Sequence, residues 1–166
     1  ADRASDGCII AQSNDEIARR AKVIVLSLPT IETNRQVVLE IAKAGVAGTV
    51  VVDTCTIGID AAKRNAQILS EVGIQYLDSP VSGLKFRAEE GALVSMVSGP
   101  ASELKKAHKL LEGYSRAVVH VGTEPGQGQR MKVLNNAICI ASYVISSEAL
   151  TYGEAGGLRA VSYTHL

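Results

Sequence analysis

Short runs rich in β-branched residues alternate along this chain with stretches that carry helix signals, and this alternation limits the possible folds more than any other feature. Residues 8–11, 23–28, 49–53, 74–78, 93–98 and 117–121 read as strands. Most are nearly continuous apolar runs, as strands covered on both faces should be. Between them, Ser13 followed by Glu16 forms a capping box, Pro100 opens a helical run, and Gly45 and Gly113 stand where helices should stop. The pattern implies an α/β fold built on an open, largely parallel sheet with helices on both faces. Such sheets bind ligands beyond the carboxyl ends of their strands.

The last segment differs, because residues 127–155 read as one helix much longer than the crossover helices before it. Its length marks a change of architecture, with a boundary at the Thr123-Glu124-Pro125-Gly126 cluster. The reading is therefore a partial sheet domain over 1–124 and the start of an all-α second domain over 125–159. Residues 160–166 fit neither helix period nor capping pattern and read as foreign read-through.

Charge narrows the possible partners. Seventeen basic residues balance seventeen acidic ones in 166, with no block of one sign, so nucleic acid and membrane surfaces are not expected. Three scattered cysteines, Cys8, Cys55 and Cys139, give no metal spacing and suit a reducing compartment, so the expected location is the cytoplasm and no metal is expected. No uncharged apolar run reaches the roughly 18 residues of a membrane span. The nearest, 133–145, is interrupted by Asn135, Asn136 and Ser142.

Three motifs stand where such a sheet places its site. Leu26-Ser27-Leu28-Pro29-Thr30 and Asp53-Thr54-Cys55-Thr56-Ile57 close successive strands, either to line a nucleotide cleft or simply to end a strand and cap a helix. Asp78-Ser79-Pro80-Val81-Ser82-Gly83 hangs a small-residue loop from a strand end. Its free N–H groups and the Ser82 hydroxyl suit a carboxylate, although an ordinary Gly/Ser turn has the same composition. Gly126-Gln127-Gly128-Gln129-Arg130-Met131-Lys132 opens the long helix. Lys132 and Asn136, four apart, share a face with Ile140 and Val144. A lysine drawn partly out of water has a lowered pKa and can move a proton near neutrality, whereas a lysine on a solvated helix end does nothing of the kind.

Taken in order and spacing, the D-S-P-V-S-G loop, the segment Ala88, Gly91, Leu93, Met96, Val97 and the G-x-G-x-x-x-K-x-x-N-N helix start resemble the β-hydroxyacid dehydrogenase family of 3-hydroxyisobutyrate dehydrogenase type, from Gly7 to about Leu158. The resemblance implies a Rossmann-like doubly wound sheet. It makes Lys132 the catalytic lysine, puts Ser82 and Gly83 on the substrate carboxylate and Asn136 on the substrate, and sets Leu28, Pro29, Thr33 and Thr56 beside NAD or NADP. In the implied reaction a hydride passes between a small 3-hydroxy acid and the nicotinamide while Lys132 takes or gives the hydroxyl proton. The full-length enzyme is then expected to be a homo-oligomer.

Three departures bear on this. Leu84 stands where the family has a second glycine after V-S-G, and Cys55 replaces a frequent serine. No G-x-G-x-x-G precedes Gly7, so the resemblance implies a piece lacking its first βαβ unit, about 30 residues, and inactive alone. A phosphogluconate dehydrogenase and a non-catalytic nucleotide sensor are the alternatives; a sensor has no need of a proton-transfer lysine.

Overall fold

A computed structural model describes residues 7–162, so four of the seven closing residues, 163–166, lie outside the described residues. Contacts divide the chain into two compact units, one ending at Lys132 and one beginning at Val133.

In the first unit, α1 (Asn14–Arg20) leads to β1 (Val23–Leu26), α2 (Ile31–Ala44), β2 (Val50–Asp53), α3 (Ile59–Ser70) and β3 (Gln75–Asp78). Then come β4 (Val81–Ser82), α4 (Leu84–Glu89), β5 (Leu93–Ser98), α5 (Ala101–Glu112) and β6 (Ser115–Gly122). The expected capping signals act: Ser13 Oγ accepts from Glu16 N at 3.2 Å, and Gly45 and Gly113 close α2 and α5. Glu16 reaches back to Gln12 N at 2.9 Å rather than to the cap's own N–H.

The sheet runs β1-β2-β3-β5-β4, with β6 on β5. β1, β2 and β3 are parallel, and so are β5 and β6, but β5 is antiparallel to both β3 and β4. The sheet is thus largely parallel, as expected, with an antiparallel return at β5 that makes it mixed. Where a helix crosses over, the next strand comes in parallel; between β3 and β5 the chain turns back through β4 and α4, which need not return it to the same end. Residues 8–11, expected as a strand, are not one. Ile9 and Ile10 are exposed there, and an apolar run makes a strand only where a neighbouring ladder takes up its N–H and C=O groups.

Side-chain alternation in β2 supplies both faces. Val51 joins Ile24, Leu26, Val38, Ile41, Leu69 and Tyr76 in one core under α1, α2 and α3, while Val50 and Val52 join Leu77, Val97, Leu104 and Leu111 under α5. One core also holds a polar cluster. Asp53 Oδ2 accepts from Asn34 Nδ2 at 2.8 Å and from the Tyr76 hydroxyl at 2.9 Å, and Asn65 Nδ2 donates to Asn34 Oδ1 at 2.7 Å. Burial, followed by the Asp53 charge, pushes the Tyr76 phenol well above its ordinary value, so it stays protonated and donating.

The second unit holds most of α6 (Gln127–Ala155) and a short 3₁₀ turn, Ala160–Ser162. α6 is long and apolar enough to cross a membrane by length and composition. The sequence expectation differed because it counted only unbroken apolar residues, and Asn, Ser and Tyr break that run. Among the described residues Ile138, Ile140, Tyr143, Val144 and Ile145 are exposed, so the stripe shared with Lys132 and Asn136 is not a buried one.

Asn34→Ala is expected to lower the unfolding free energy by about 1–3 kcal/mol, because Asp53 and Asn65 each lose a buried partner. Tyr76→Phe should cost about 1 kcal/mol, since Asp53 keeps its other donors. Urea unfolding at unchanged slope measures both. An Asn34→Ala loss within about 0.5 kcal/mol, the range of an ordinary surface change, would show that the cluster adds nothing.

Candidate active site

The loops that leave β1 and β2 are laced together at the strand ends. Leu26 O accepts from Thr54 N at 3.0 Å and from Thr54 Oγ1 at 2.7 Å, while Leu28 N donates to Cys55 Sγ at 3.1 Å. Asp53 Oδ1 in turn accepts from Cys55 N at 3.0 Å. Burial first, then the Asp53 charge, raises the Cys55 thiol to about 11, so it serves as a neutral acceptor and not as a nucleophile. Of the residues expected beside the cofactor, Leu28 is half-buried and Pro29 and Thr56 are exposed, all on these two loops. Thr33 has a structural task as well: its N–H donates to Thr30 Oγ1 at 3.1 Å, and its hydroxyl lies 3.0 Å from the same oxygen, capping α2.

β3 ends on Asp78, whose register partner in β5 is Ser98. Asp78 is wholly buried, and desolvation raises its carboxyl above the ordinary range despite opposing bonds from Gln129 and Ser98. The start of α6 enters here. A Cβ on Gly128 would lie 2.5 Å from Met96 O and 2.9 Å from Asp78 Oδ2, so only glycine allows the helix this close to the two strands. Gly128 N donates to Ser98 Oγ at 3.0 Å, and Ser98 Oγ donates to Asp78 Oδ2 at 3.2 Å.

Gln129, fully buried, uses every polar atom of its side chain. Oε1 accepts from Ile57 N and Gly58 N, both at 3.0 Å; Nε2 donates to Cys55 O at 2.9 Å and to Asp78 Oδ1 at 2.7 Å. Its backbone N donates to Asp78 Oδ2 at 2.9 Å. Sequence reasoning gave Gln129 no role. The available signal was an amide between two close-packing glycines and a lysine, just inside a helix start.

Ser82 and Gly83 follow on β4 and its end, both half-buried, with Gly83 at φ 142°. A Cβ there would meet Leu93 Cδ2 and Arg87 Cβ, each at 2.9 Å. Leu84 adopts φ 61° with its side chain 77% exposed. The loop read from sequence is thus partly a two-residue strand and a short helix. Lys132, half-buried, stands one turn beyond the Gln129 anchor. Asn136 belongs to the second unit, half-buried, with Oδ1 accepting from Asn135 Nδ2 at 3.3 Å.

The structure therefore joins the Leu28 and Thr56 loops to each other, and joins the Thr56 loop to the helix start that leads to Lys132. Ser79, between Asp78 and the Ser82 strand, has a wholly buried hydroxyl without a hydrogen-bond partner among the described residues. Such a group costs about 1–3 kcal/mol unless something polar meets it, which fits a polar ligand at these strand ends. Among the described residues no group of three or more His, Cys, Asp or Glu is placed to hold a metal ion.

A family model described as the NAD binding domain of 6-phosphogluconate dehydrogenase matches residues 1–122. A probable 3-hydroxyisobutyrate dehydrogenase of Mycobacterium bovis is 31% identical over 159 residues, covering 96% of this chain and 54% of that protein. An NAD-dependent L-serine dehydrogenase of Pseudomonas aeruginosa is 32% identical over 157 residues, covering 93% of this chain and 52% of that one. The solved structure of Mycobacterium tuberculosis 3-hydroxyisobutyrate dehydrogenase with L-serine matches at TM-score 0.90 and 31% identity, over 95% of this chain and 54% of the other. The chain thus spans about half the length of the curated relatives it matches. The Rossmann-like sheet followed by a long helix, implied by the sequence motifs, is the architecture of these dehydrogenases.

Two outcomes follow from the loop geometry. Gly83→Ala should lose more than about 1 kcal/mol of stability through its positive φ and the two close contacts, whereas Leu84→Gly should be neutral or stabilising, since left-handed backbone costs a leucine about 1–2 kcal/mol. Thermal unfolding ranks the pair; a less stable Leu84→Gly than Gly83→Ala would contradict the expected strain. In the folded protein at pH 8, iodoacetamide should label exposed Cys8 and Cys139 and leave Cys55 unmodified until denaturant is added.

Proposed function

From membership of the family of the NAD binding domain of 6-phosphogluconate dehydrogenase, to which the chain belongs, we propose that the whole protein is an oxidoreductase transferring a hydride between a nicotinamide cofactor and a small 3-hydroxy acid. The observation that carries this is the bonding of the α6 start, one turn before Lys132, to both the loop after β2 and the end of β3. This bonding fixes the turn before Lys132 at the ends of β2 and β3, which supports reading the lysine as the proton carrier of a site that includes Ser82 and Gly83.

When bound, a nicotinamide dinucleotide supplies the hydride chemistry. Leu28, Pro29, Thr33 and Thr56 are its proposed neighbours, Leu28, Pro29 and Thr56 on loops tied together through Cys55 and Thr54 and Thr33 in the first turn of α2. Ser82 and the Gly83 backbone hold the substrate carboxylate, and Asn136 orients the hydroxyl-bearing carbon. The Lys132 amine takes the hydroxyl proton on oxidation and returns it on reduction.

The phosphogluconate reading keeps one point in its favour, the description of the matching family. The relatives at 31–32% identity are named for hydroxyisobutyrate and serine, which favours the smaller acid. We further propose that residues 1–124 form part of the dinucleotide domain and 125–159 the start of a helical one, that the enzyme is cytoplasmic, as its free cysteines suit, and that it is a homo-oligomer. α6 is read as part of a helical domain rather than a membrane span, a reading supported by the match to a dehydrogenase structure over 95% of this chain.

The test uses the complete enzyme, screened against 3-hydroxyisobutyrate, L-serine, glycerate, threonate and 6-phosphogluconate with NAD and NADP. Turnover of the last alone would transfer the assignment to the phosphogluconate enzymes. Lys132→Ala should lower kcat by about 10²- to 10⁴-fold with a modest change in KM. Lys132→Arg should fail as well, because a guanidinium keeps its proton, and Asn136→Ala should raise KM. Near-normal kcat in a folded Lys132→Ala protein would remove the lysine from the mechanism.

A further inference from the structure

We propose that Gln129 is a positioning residue for the proton-transfer step, its side-chain amide fixing the turn of α6 before Lys132 against the cofactor-side loop and the end of β3 at once. The inference rests on the dehydrogenase reading and adds to it a residue that touches neither substrate nor cofactor.

Donor and acceptor count single this residue out. A glutamine amide offers an oxygen with two lone pairs and a nitrogen with two hydrogens. All four are used: Ile57 N and Gly58 N give to the oxygen, and Cys55 O and Asp78 Oδ1 receive from the nitrogen. No other side chain of this length meets that demand. Glutamate lacks the two hydrogens and would set a second carboxylate against Asp78, methionine leaves all four partners unmet, and asparagine is one methylene short. The two N–H donors also fix which way round the amide lies.

The anchoring continues along the backbone. Gln129 N binds Asp78 Oδ2, Gly128 N binds Ser98 Oγ, and a Cβ on Gly126 would lie 2.9 Å from Ile59 Cγ2. Positions 126, 128 and 129 are thus held by separate contacts. Lys132, three residues on, inherits their placement through helix geometry. Ile57 and Gly58 directly follow Thr56, so one amide sets the separation between a proposed cofactor neighbour and the proposed proton carrier. Proton transfer depends steeply on such placement; a misplacement of about 1 Å can cost 10²-fold.

The experiment compares Gln129→Met, Gln129→Glu and the pair Gln129→Glu with Asp78→Asn in the complete enzyme. Three readouts are taken on protein shown to be folded: kcat and KM, the solvent deuterium isotope effect on kcat, and amide hydrogen exchange at Ile57 and Gly58 without cofactor. Gln129→Met should lose about 10²-fold in kcat with KM within a few-fold, raise the isotope effect as the proton step becomes limiting, and expose both amides to exchange. Gln129→Glu should lose at least as much. Adding Asp78→Asn should then recover about tenfold or more, since the amide introduced on β3 can donate to the new carboxylate while its own oxygen keeps the bonds from the α6 backbone N–H and Ser98.

Undiminished kcat in Gln129→Met, a loss confined to KM, an unchanged isotope effect, or no recovery in the double variant would each overturn the positioning role. Absence of turnover in the wild type, by contrast, would remove the dehydrogenase reading itself, so the two failures are told apart in the same assay.

Discussion

The amide of Gln129, wholly removed from water, is the point on which the working end of the sheet depends. Three elements distant in sequence meet there: the loop after β2, the carboxyl end of β3 and the first turn of α6. A parallel arrangement of strands gathers their carboxyl ends at one edge but does not fix the loops that leave them. Hydrogen bonds closed in a low-dielectric interior do fix them, because each group left unmet would cost about 1–3 kcal/mol. The arrangement is therefore unforgiving of change.

Asp78 shows how the balance is struck. Burial raises its carboxyl, yet two donors from Gln129 and one from Ser98 act in the opposite sense. A carboxyl whose folded pKa is raised contributes stability that is fully present below its unfolded pKa and is lost as pH rises through the folded value. At neutral pH, then, Asp78 is a cost, offset by the bonds that order the helix start. At the neighbouring strand the Asp53 carboxylate is likewise ringed by donors, from Asn34, Tyr76 and Cys55 N. Both aspartates end adjacent parallel strands at register-paired positions. Carboxylates at such positions draw donors inward and tie each strand to the loops around it.

Much of this was legible in the sequence, for identifiable reasons. The strand at 93–98 was placed to the residue and the helix from 127 to about 155 at its start, because a mostly apolar run between Gly91 and Gly99, and a long proline-free stretch after Gly126, leave little choice. The motifs Asp78 to Gly83 and Gly126 to Asn136 were visible because glycine spacing is a local signal. What escaped was non-local. The antiparallel return of β5 is decided by what pairs with β3, the failure of 8–11 to form a strand by the lack of a ladder beside it, and the role of Gln129 by partners 51 to 74 positions away. A one-dimensional pattern records which face a residue prefers. It does not record which distant donor that residue will meet.

The contrast between satisfied and unsatisfied groups within the same unit carries one more step. Gln129 has a full set of partners and Asp53 and Asp78 accept three hydrogen bonds each, whereas the segment after Asp78 breaks local rules repeatedly: Ser79 buries a hydroxyl with no partner among the described residues, Gly83 takes φ 142°, and Leu84 takes φ 61° with an exposed apolar side chain. Proteins keep such exceptions where a site requires them, while the surrounding structure holds them in place. Leu84 gains no core burial in return for its strained backbone. A glycine at that position leaves the neighbourhood of Ser82 open; a leucine adds four carbons of apolar bulk beside it. The bonding at Gln129 fixes the start of α6 against the strand ends, and the segment from Ser79 to Leu84, which follows the same strand, is where local rules are broken.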